Sequence, residues 1–266
     1  RKSFHPPFLL GRKSLNINIS DIAAMGGKPA WALLGMGIPR QTSPWWLQEF
    51  FEGVASAARE FDVVLIGGDT SRASKLTISI TLIGEGNNII LRRGARPGDG
   101  VYVSGNLGDA HQGLMILKKE PQPGSKDWRA YFIEKFLDPV PQIALARELS
   151  RKKLASSMID TSDGLSTDLR HLCDESGCGA EIYKNLLPVS SELKKNQKRW
   201  SWFALHGGED YQLLLTVPRQ KEETIEKLQK KFPLTRIGRI IREKNIYLVI
   251  DKGKKIPLSP KTFRHF

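Results

Sequence analysis

The sequence predicts an α/β (α+β) protein of two domains, and three observations predict it. Short apolar runs of strand length alternate with longer segments of helical periodicity along the chain. The turn-rich stretch Arg93-Gly94-Ala95-Arg96-Pro97-Gly98-Asp99-Gly100 interrupts that alternation and marks a boundary, giving domains 1–95 and 96–266. At 266 residues, with 40% hydrophobic and 26% charged side chains, the chain is long enough for two cores and has ordinary globular composition.

The elements follow in order. Ser43-Pro44 reads as an N-cap with proline in the first turn, opening a helix through Trp46, Phe50, Val54 and Ala58. Val63-Val64-Leu65-Ile66 reads as a short buried strand that ends at Gly67-Gly68-Asp69-Thr70. From Lys75 to Glu85, Leu76, Ile78, Ile80 and Leu82 alternate with polar residues, the pattern of a strand with one buried face. Beyond the boundary come a strand (Val101 to Ser104), helices near Asp109 to Lys118 and Pro141 to Arg151, and a strand ending at Ile159. A helix is expected from Ser162 to Glu175, then strands at Gly179 to Tyr183 and Tyr211 to Val217. An amphipathic helix from Lys221 to Phe232 and a β-hairpin, 236–241 with 245–250, complete the reading.

Composition excludes several classes. No apolar run approaches the ~20 residues of a membrane-spanning helix, and the first residues lack a signal-peptide core. Cys173 and Cys178 have no second pair and no metal-type histidine spacing, so free thiols in a reducing cytoplasm are expected. The net charge of +13 is spread over short runs such as Lys118-Lys119 and Lys194-Lys195 at expected helix ends, the pattern of solvated faces. Nucleic-acid binders gather their Lys and Arg on one face, so no nucleic-acid partner is expected. No phosphate loop, dinucleotide fingerprint, nucleophile elbow or protein-kinase signature occurs.

What remains is a set of aspartates beside glycine or serine at the ends of expected strands: Asp21 in Asn18-Ile19-Ser20-Asp21, Asp69 in Gly67-Gly68-Asp69-Thr70, and Asp160 and Asp163 in Asp160-Thr161-Ser162-Asp163-Gly164. A fifth acidic point is Gly207-Gly208-Glu209-Asp210. Hard cations such as magnesium take oxygen ligands and bridge carboxylates to phosphates. Glycines beside them let backbone approach an anion. Taken singly, each pair has a plainer reading, a turn at Asp-Gly or a helix N-cap at Ser162 or Asp163. Asp99 and Asp109 are assigned to structure.

These blocks carry a resemblance. Gly11 to Leu15, Asn18 to Gly26, Trp31 to Leu34, Gly67 to Arg72, Arg92 with Gly94 to Asp99, Ser104 to Ala110, Ile159 to Leu169, Gly207 to Tyr211 and Phe263 to Phe266 occur in an order that resembles the thiamine-monophosphate kinase family. The resemblance implies the two-domain fold of the aminoimidazole ribonucleotide synthetase superfamily, with an N-terminal dimerising sheet domain and ATP near the dimer interface. It also implies transfer of the ATP γ-phosphoryl group to thiamine monophosphate in a homodimer. Position by position, it implies magnesium at Asp21, Asp69 and Asp160 and a further ion at Asp163. Gly68, Asp69, Arg92 and Ser162 would contact ATP, with Phe51 where the family often has a tyrosine near ATP. Glu209 and Phe263 would contact the thiamine substrate, and Asp69, Asp160 and Arg92 would carry catalysis. The acceptor phosphate is already ionised, so charge neutralisation and alignment are required and a general base is not.

The chain departs from the family at Phe51 and at Gln142, where arginine is common. The family's Gly-Asp-Asp-Ala-Ala-type segment, which supplies further metal-binding aspartates, does not occur in this sequence. Alternative readings are another ATP-using member of the superfamily, of the selenophosphate synthetase or aminoimidazole ribonucleotide synthetase type, or a basic nucleic-acid-binding protein.

Overall fold

The computed structural model describes residues 5–119 and 128–260. The first layer is built from α1 (Pro7–Ala24), β1 (Lys28–Ile38), α2 (Pro44–Glu60), β2 (Val64–Arg72) and β3 (Thr77–Glu85). Its three-stranded sheet has the order β2-β1-β3, with β1 parallel to β2 and antiparallel to β3. α2 begins as its sequence dictates, the Ser43 hydroxyl accepting from the Trp46 amide at 3.2 Å.

Both helices lie on one face of this sheet, where Leu15, Ile19, Ala32, Ala57 and Val63 form one apolar cluster and Leu34, Met36, Phe50 and Val54 another. α1 and α2 approach closely because glycines meet backbone. A Cβ at Gly53 would lie 1.9 Å from the Phe8 carbonyl oxygen, and one at Gly11 2.1 Å from that of Phe50. Among the described residues the opposite face is uncovered: Trp31, Leu33, Val64 and Ile83, which share it by register, are all exposed.

The second unit is β4 (Gly100–Ser104), α3 (Asp109–Lys119), α4 (Trp128–Leu137), α5 (Ile143–Arg151), β5 (Ser157–Asp160), α6 (Leu165–Ser176), β6 (Gly179–Tyr183), α7 (Ser191–Asn196), α8 (Trp200–His206), β7 (Leu213–Val217), α9 (Glu222–Gln229), β8 (Leu234–Ile241), β9 (Ile246–Val249) and β10 (Lys255–Pro257). Its seven-stranded sheet runs β10-β9-β6-β8-β4-β7-β5. Strand residues alternate between two cores. Val101, Val103, Ile159 and Leu214 pack with α6, and Tyr102, Met158, Leu213 and Leu215 pack with α5 and α9. Ala23 and Ala24, at the end of α1, belong to the second of these cores.

Four sequence expectations are corrected. β2 does not stop at Gly67 but runs through Gly67, Gly68 and Asp69 to Arg72, and all of it is exposed, because it is an edge strand and no other described strand pairs with its outer edge. The expected C-terminal hairpin does not form: β6 lies between β8 and β9, antiparallel to the first and parallel to the second. Asp21 is in the last turn of a helix, not at a strand end. The helix after Asp160 starts at Leu165, and Gly164 precedes it at φ +103°, a conformation that glycine alone adopts readily. Among the described residues no helix is long and apolar enough to cross a membrane.

Candidate active site

Three chain segments converge at the junction of the two sheets: the end of α1, the loop between β5 and α6, and the loop 207–211. α1 packs against β5 and so delivers Ser20 and Asp21 to the end of that strand. The Ser20 hydroxyl donates to Asp160 Oδ2 at 2.6 Å. Asp160 is buried, and burial pushes its carboxyl up to about 6; the Ser20 bond opposes that rise and the neighbouring Asp21 charge adds to it. Asp21 is likewise raised by desolvation, with Arg92 pulling it back. Asp21 and Arg92 line one cleft of about 540 Å³ with Met25, Ile90, Leu91 and Met158, a cavity with a charged rim and an apolar wall.

The loop 161–164 is held by backbone. Thr161 N donates to Gln212 O at 2.8 Å and Gln212 N to Thr161 Oγ1 at 3.1 Å. Asp163 N donates to Asp168 Oδ2 at 3.2 Å. Asp168, on the first turn of α6, is buried and its carboxyl is pushed up to about 8 by burial, then by the charges of Asp163 and Asp160. The loop 207–211 rests on this one, with Glu209 N donating to Ser162 O at 2.8 Å and Tyr211 N to Thr161 O at 3.0 Å. Gly208 permits the contact, since a Cβ there would lie 2.5 Å from Ser162 O. Asp210 Oδ2 and Oδ1 accept from Gly108 N at 2.6 Å and Ala110 N at 3.0 Å, which ties the loop to the start of α3.

The structure therefore brings Asp21, Arg92, Asp160, Ser162, Asp163 and Glu209 into one region. Gly68 and Asp69 lie elsewhere, on edge strand β2, where Asp69 accepts from the Ser71 hydroxyl at 2.8 Å. Phe51 is exposed on α2 and lines a groove with Val54, Ala58 and Leu65. Phe263 lies outside the described residues. Asp99 and Asp109 are structural, as expected: Asp99 accepts from Ser156 Oγ at 2.6 Å, and Asp109 from Ser190 Oγ at 2.6 Å and Tyr131 Oη at 2.8 Å. Sequence reading missed Ser20 and Asp168. The signal for Ser20 was its place directly before Asp21 on the helix. Asp168 reads as an ordinary first-turn acid and only burial distinguishes it.

Among the described residues no three His, Cys, Asp or Glu side chains stand close enough to form a ready metal cage. Asp21 and Asp160 are an all-oxygen pair with like charges facing each other. That donor set fits a magnesium ion that completes its shell with phosphate oxygens and water.

A fold with an uncovered N-terminal sheet, a seven-stranded C-terminal unit and paired carboxylates at their junction defines a class. The family described as AIR synthase related protein matches through its N-terminal domain at residues 1–85 and its C-terminal domain at residues 96–251, and the chain belongs to that family. Within it, the chain falls among the thiamine-monophosphate kinases. It is 37% identical over 264 residues to the enzyme of Buchnera aphidicola from Acyrthosiphon pisum, covering 97% of this chain and 80% of that one. The thiamine-monophosphate kinase of Aquifex aeolicus is 36% identical over 267 residues, 98% of this chain and 82% of the relative. The solved structure of AaThiL complexed with AMPPCP and TMP superposes with a TM-score of 0.89 at 35% identity, over 99% of this chain and 82% of that one. A hydrogenase maturation protein, HypE, shares the fold alone, with a TM-score of 0.81 at 18% identity over 96% of this chain and 84% of its own.

Proposed function

We propose that the chain transfers the γ-phosphoryl group of ATP to thiamine monophosphate, giving thiamine diphosphate and ADP. The observation that carries this reading is the convergence of Asp21, Asp160 and Arg92 with the loops that hold Ser162 and Glu209. It is supported by the kinship with thiamine-monophosphate kinases and by the AMPPCP and TMP bound in the relative. Two polyanions must meet in line, and this chain's residues do the positioning. Arg92, which lines the cleft, would offset phosphate charge. Asp160, fixed by Ser20, and Asp21 would hold magnesium, with Asp163 holding a further ion. Magnesium supplies charge neutralisation across the transferring group. In this reading Ser162 would contact ATP, and Glu209, whose side chain is partly exposed, would contact the thiamine substrate.

Gly68, Asp69 and Phe51 belong in this reading to a nucleotide contact on the N-terminal layer. The same layer supports a homodimer: Trp31, Leu33, Val64 and Ile83 form an apolar face of the kind that marks an association surface. Cys173 and Cys178 are buried and unbridged, which suits a reducing compartment such as the cytoplasm. The test is to incubate the chain with ATP, magnesium and thiamine monophosphate and to follow ADP and thiamine diphosphate together. Equimolar formation is expected. ATP hydrolysis without thiamine diphosphate, or no ATP consumption, overturns the reading.

A further inference from the structure

Lys13 is on α1, in the N-terminal layer, yet its ammonium reaches the second unit. Its side chain is almost wholly buried. Nζ lies 2.6 Å from Glu209 Oε2 and donates to the Phe136 carbonyl at 2.6 Å, with the Phe136 ring 3.5 Å below it. A lysine is among the costliest side chains to bury, and partners of this kind are what make burial tolerable. The partner is informative, because Glu209 sits at φ +74° and Tyr211 at φ +50°, left-handed conformations that non-glycine residues adopt rarely. Such backbone persists where its surroundings over-determine it. Three sets of bonds do so here: the amides of Glu209 and Tyr211 to Ser162 O and Thr161 O, the Asp210 carboxylate to two amides, and the Lys13 ion pair. Of these, only Lys13 grips the Glu209 side chain itself.

We infer that Lys13 is a positioning residue: from beneath the loop 207–211 it fixes the Glu209 carboxylate between α1 and the Phe136 carbonyl, and so sets where that carboxylate meets the thiamine moiety. This rests on the functional reading above. One Glu209 oxygen is committed to Lys13, and the pair is close to neutral. Glu209 therefore acts as a placed hydrogen-bond acceptor and not as a free anion drawing in a cationic ring. ATP, handled by other residues, does not depend on this link.

The test uses Lys13→Met, Glu209→Gln and the double variant. Lys13→Met is expected to raise KM for thiamine monophosphate about tenfold, the scale of one charged hydrogen bond, with KM for ATP and Tm little changed. On the Glu209→Gln background the same change should add little, because the carboxylate it positions is gone. Full additivity, an equal rise in both KM values, or tighter thiamine monophosphate binding in Lys13→Met overturns the proposal. Amide hydrogen exchange gives an arm independent of activity. Protection at Glu209 and Tyr211 should fall in Glu209→Gln, which leaves the buried lysine in place, and unchanged protection overturns the clamp even if Lys13→Met fails to fold. Absence of thiamine diphosphate formation by the wild-type chain counts against the functional reading, while the exchange measurement still decides the clamp.

Discussion

β2 and β7 begin alike in sequence, Val64-Leu65-Ile66 and Leu213-Leu214-Leu215, and end in opposite environments. β7 lies between β4 and β5 with helices on both faces, and every one of its residues is buried. β2 pairs with β1 alone, and every one of its residues is exposed. An apolar strand is written for the surface that finally covers it, and among the described residues no such surface lies over β2. One unit is complete as a hydrophobic object. The other is complete only on its helical face.

The largest test of this contrast places one charge in each strand. Leu214→Glu should cost ~4 kcal/mol or more and leave little folded protein, because an unpaired carboxylate would sit in a closed core. Val64→Glu, on the open face beside Trp31, should leave circular dichroism and Tm near wild type and convert a dimer to a monomer by light scattering at micromolar concentration. If Val64→Glu unfolds the chain, or if wild type is already monomeric, the contrast between a closed and an open unit fails.

A smaller effect separates the acids at the junction from those that hold the fold. Asp160→Asn should lower kcat/KM ~100-fold, as loss of one preorganised charge in a phosphoryl-transfer site does. Its Tm should hold, since a buried carboxyl beside Asp21 is relieved of like-charge repulsion. Asp99→Asn should do the reverse, lowering Tm through its bonds to Ser156 and the Arg96 amide while sparing turnover. Matching effects in kinetics and calorimetry would erase the division.

The smallest effects lie in glycines that differ in their surroundings. Gly53→Ala should cost ~1–3 kcal/mol, because the methyl group meets the Phe8 carbonyl and α1 must move off α2. Gly177→Ala, at φ +66° with open space around it, should cost only ~1 kcal/mol of backbone strain. Equal shifts in denaturant midpoint would show that the α1–α2 contact yields more easily than its spacing implies.

What was legible in the sequence was what local chemistry decides. Ser43-Pro44 set the start of α2, the alternation from Lys75 to Glu85 set β3, and the apolar run at Val101 to Ser104 set β4. α1 was not legible. It has no side-chain cap at Pro6, and it packs against α2, β3, β5 and α5, so its apolar residues do not keep to one stripe. Asp21, expected as a magnesium ligand at a strand end, was placed on the wrong kind of element for that reason. The hairpin was misread because strands 236–241 and 245–250 are neighbours in sequence, while the insertion of β6 between them is a long-range event that no local pattern records. Lys13 was invisible too: a lysine on a helix reads as solvated until the carbonyl of Phe136 and the carboxylate of Glu209 are seen around it.

The position of Ala23 and Ala24 has a consequence for how the molecule can come apart. The helix that opens the N-terminal layer ends inside the core built from Leu145, Leu149, Met158 and Leu215. A protease that nicks the chain between Glu85 and Gly100 would therefore not release two bodies: the shared helix would keep the pieces together as a non-covalent pair. Expressed alone, the C-terminal piece would carry a bare apolar socket where the helix end belongs. The two units are modules on the page of the sequence, but in three dimensions they are joined by a splint, and a hinge between them would first have to break it.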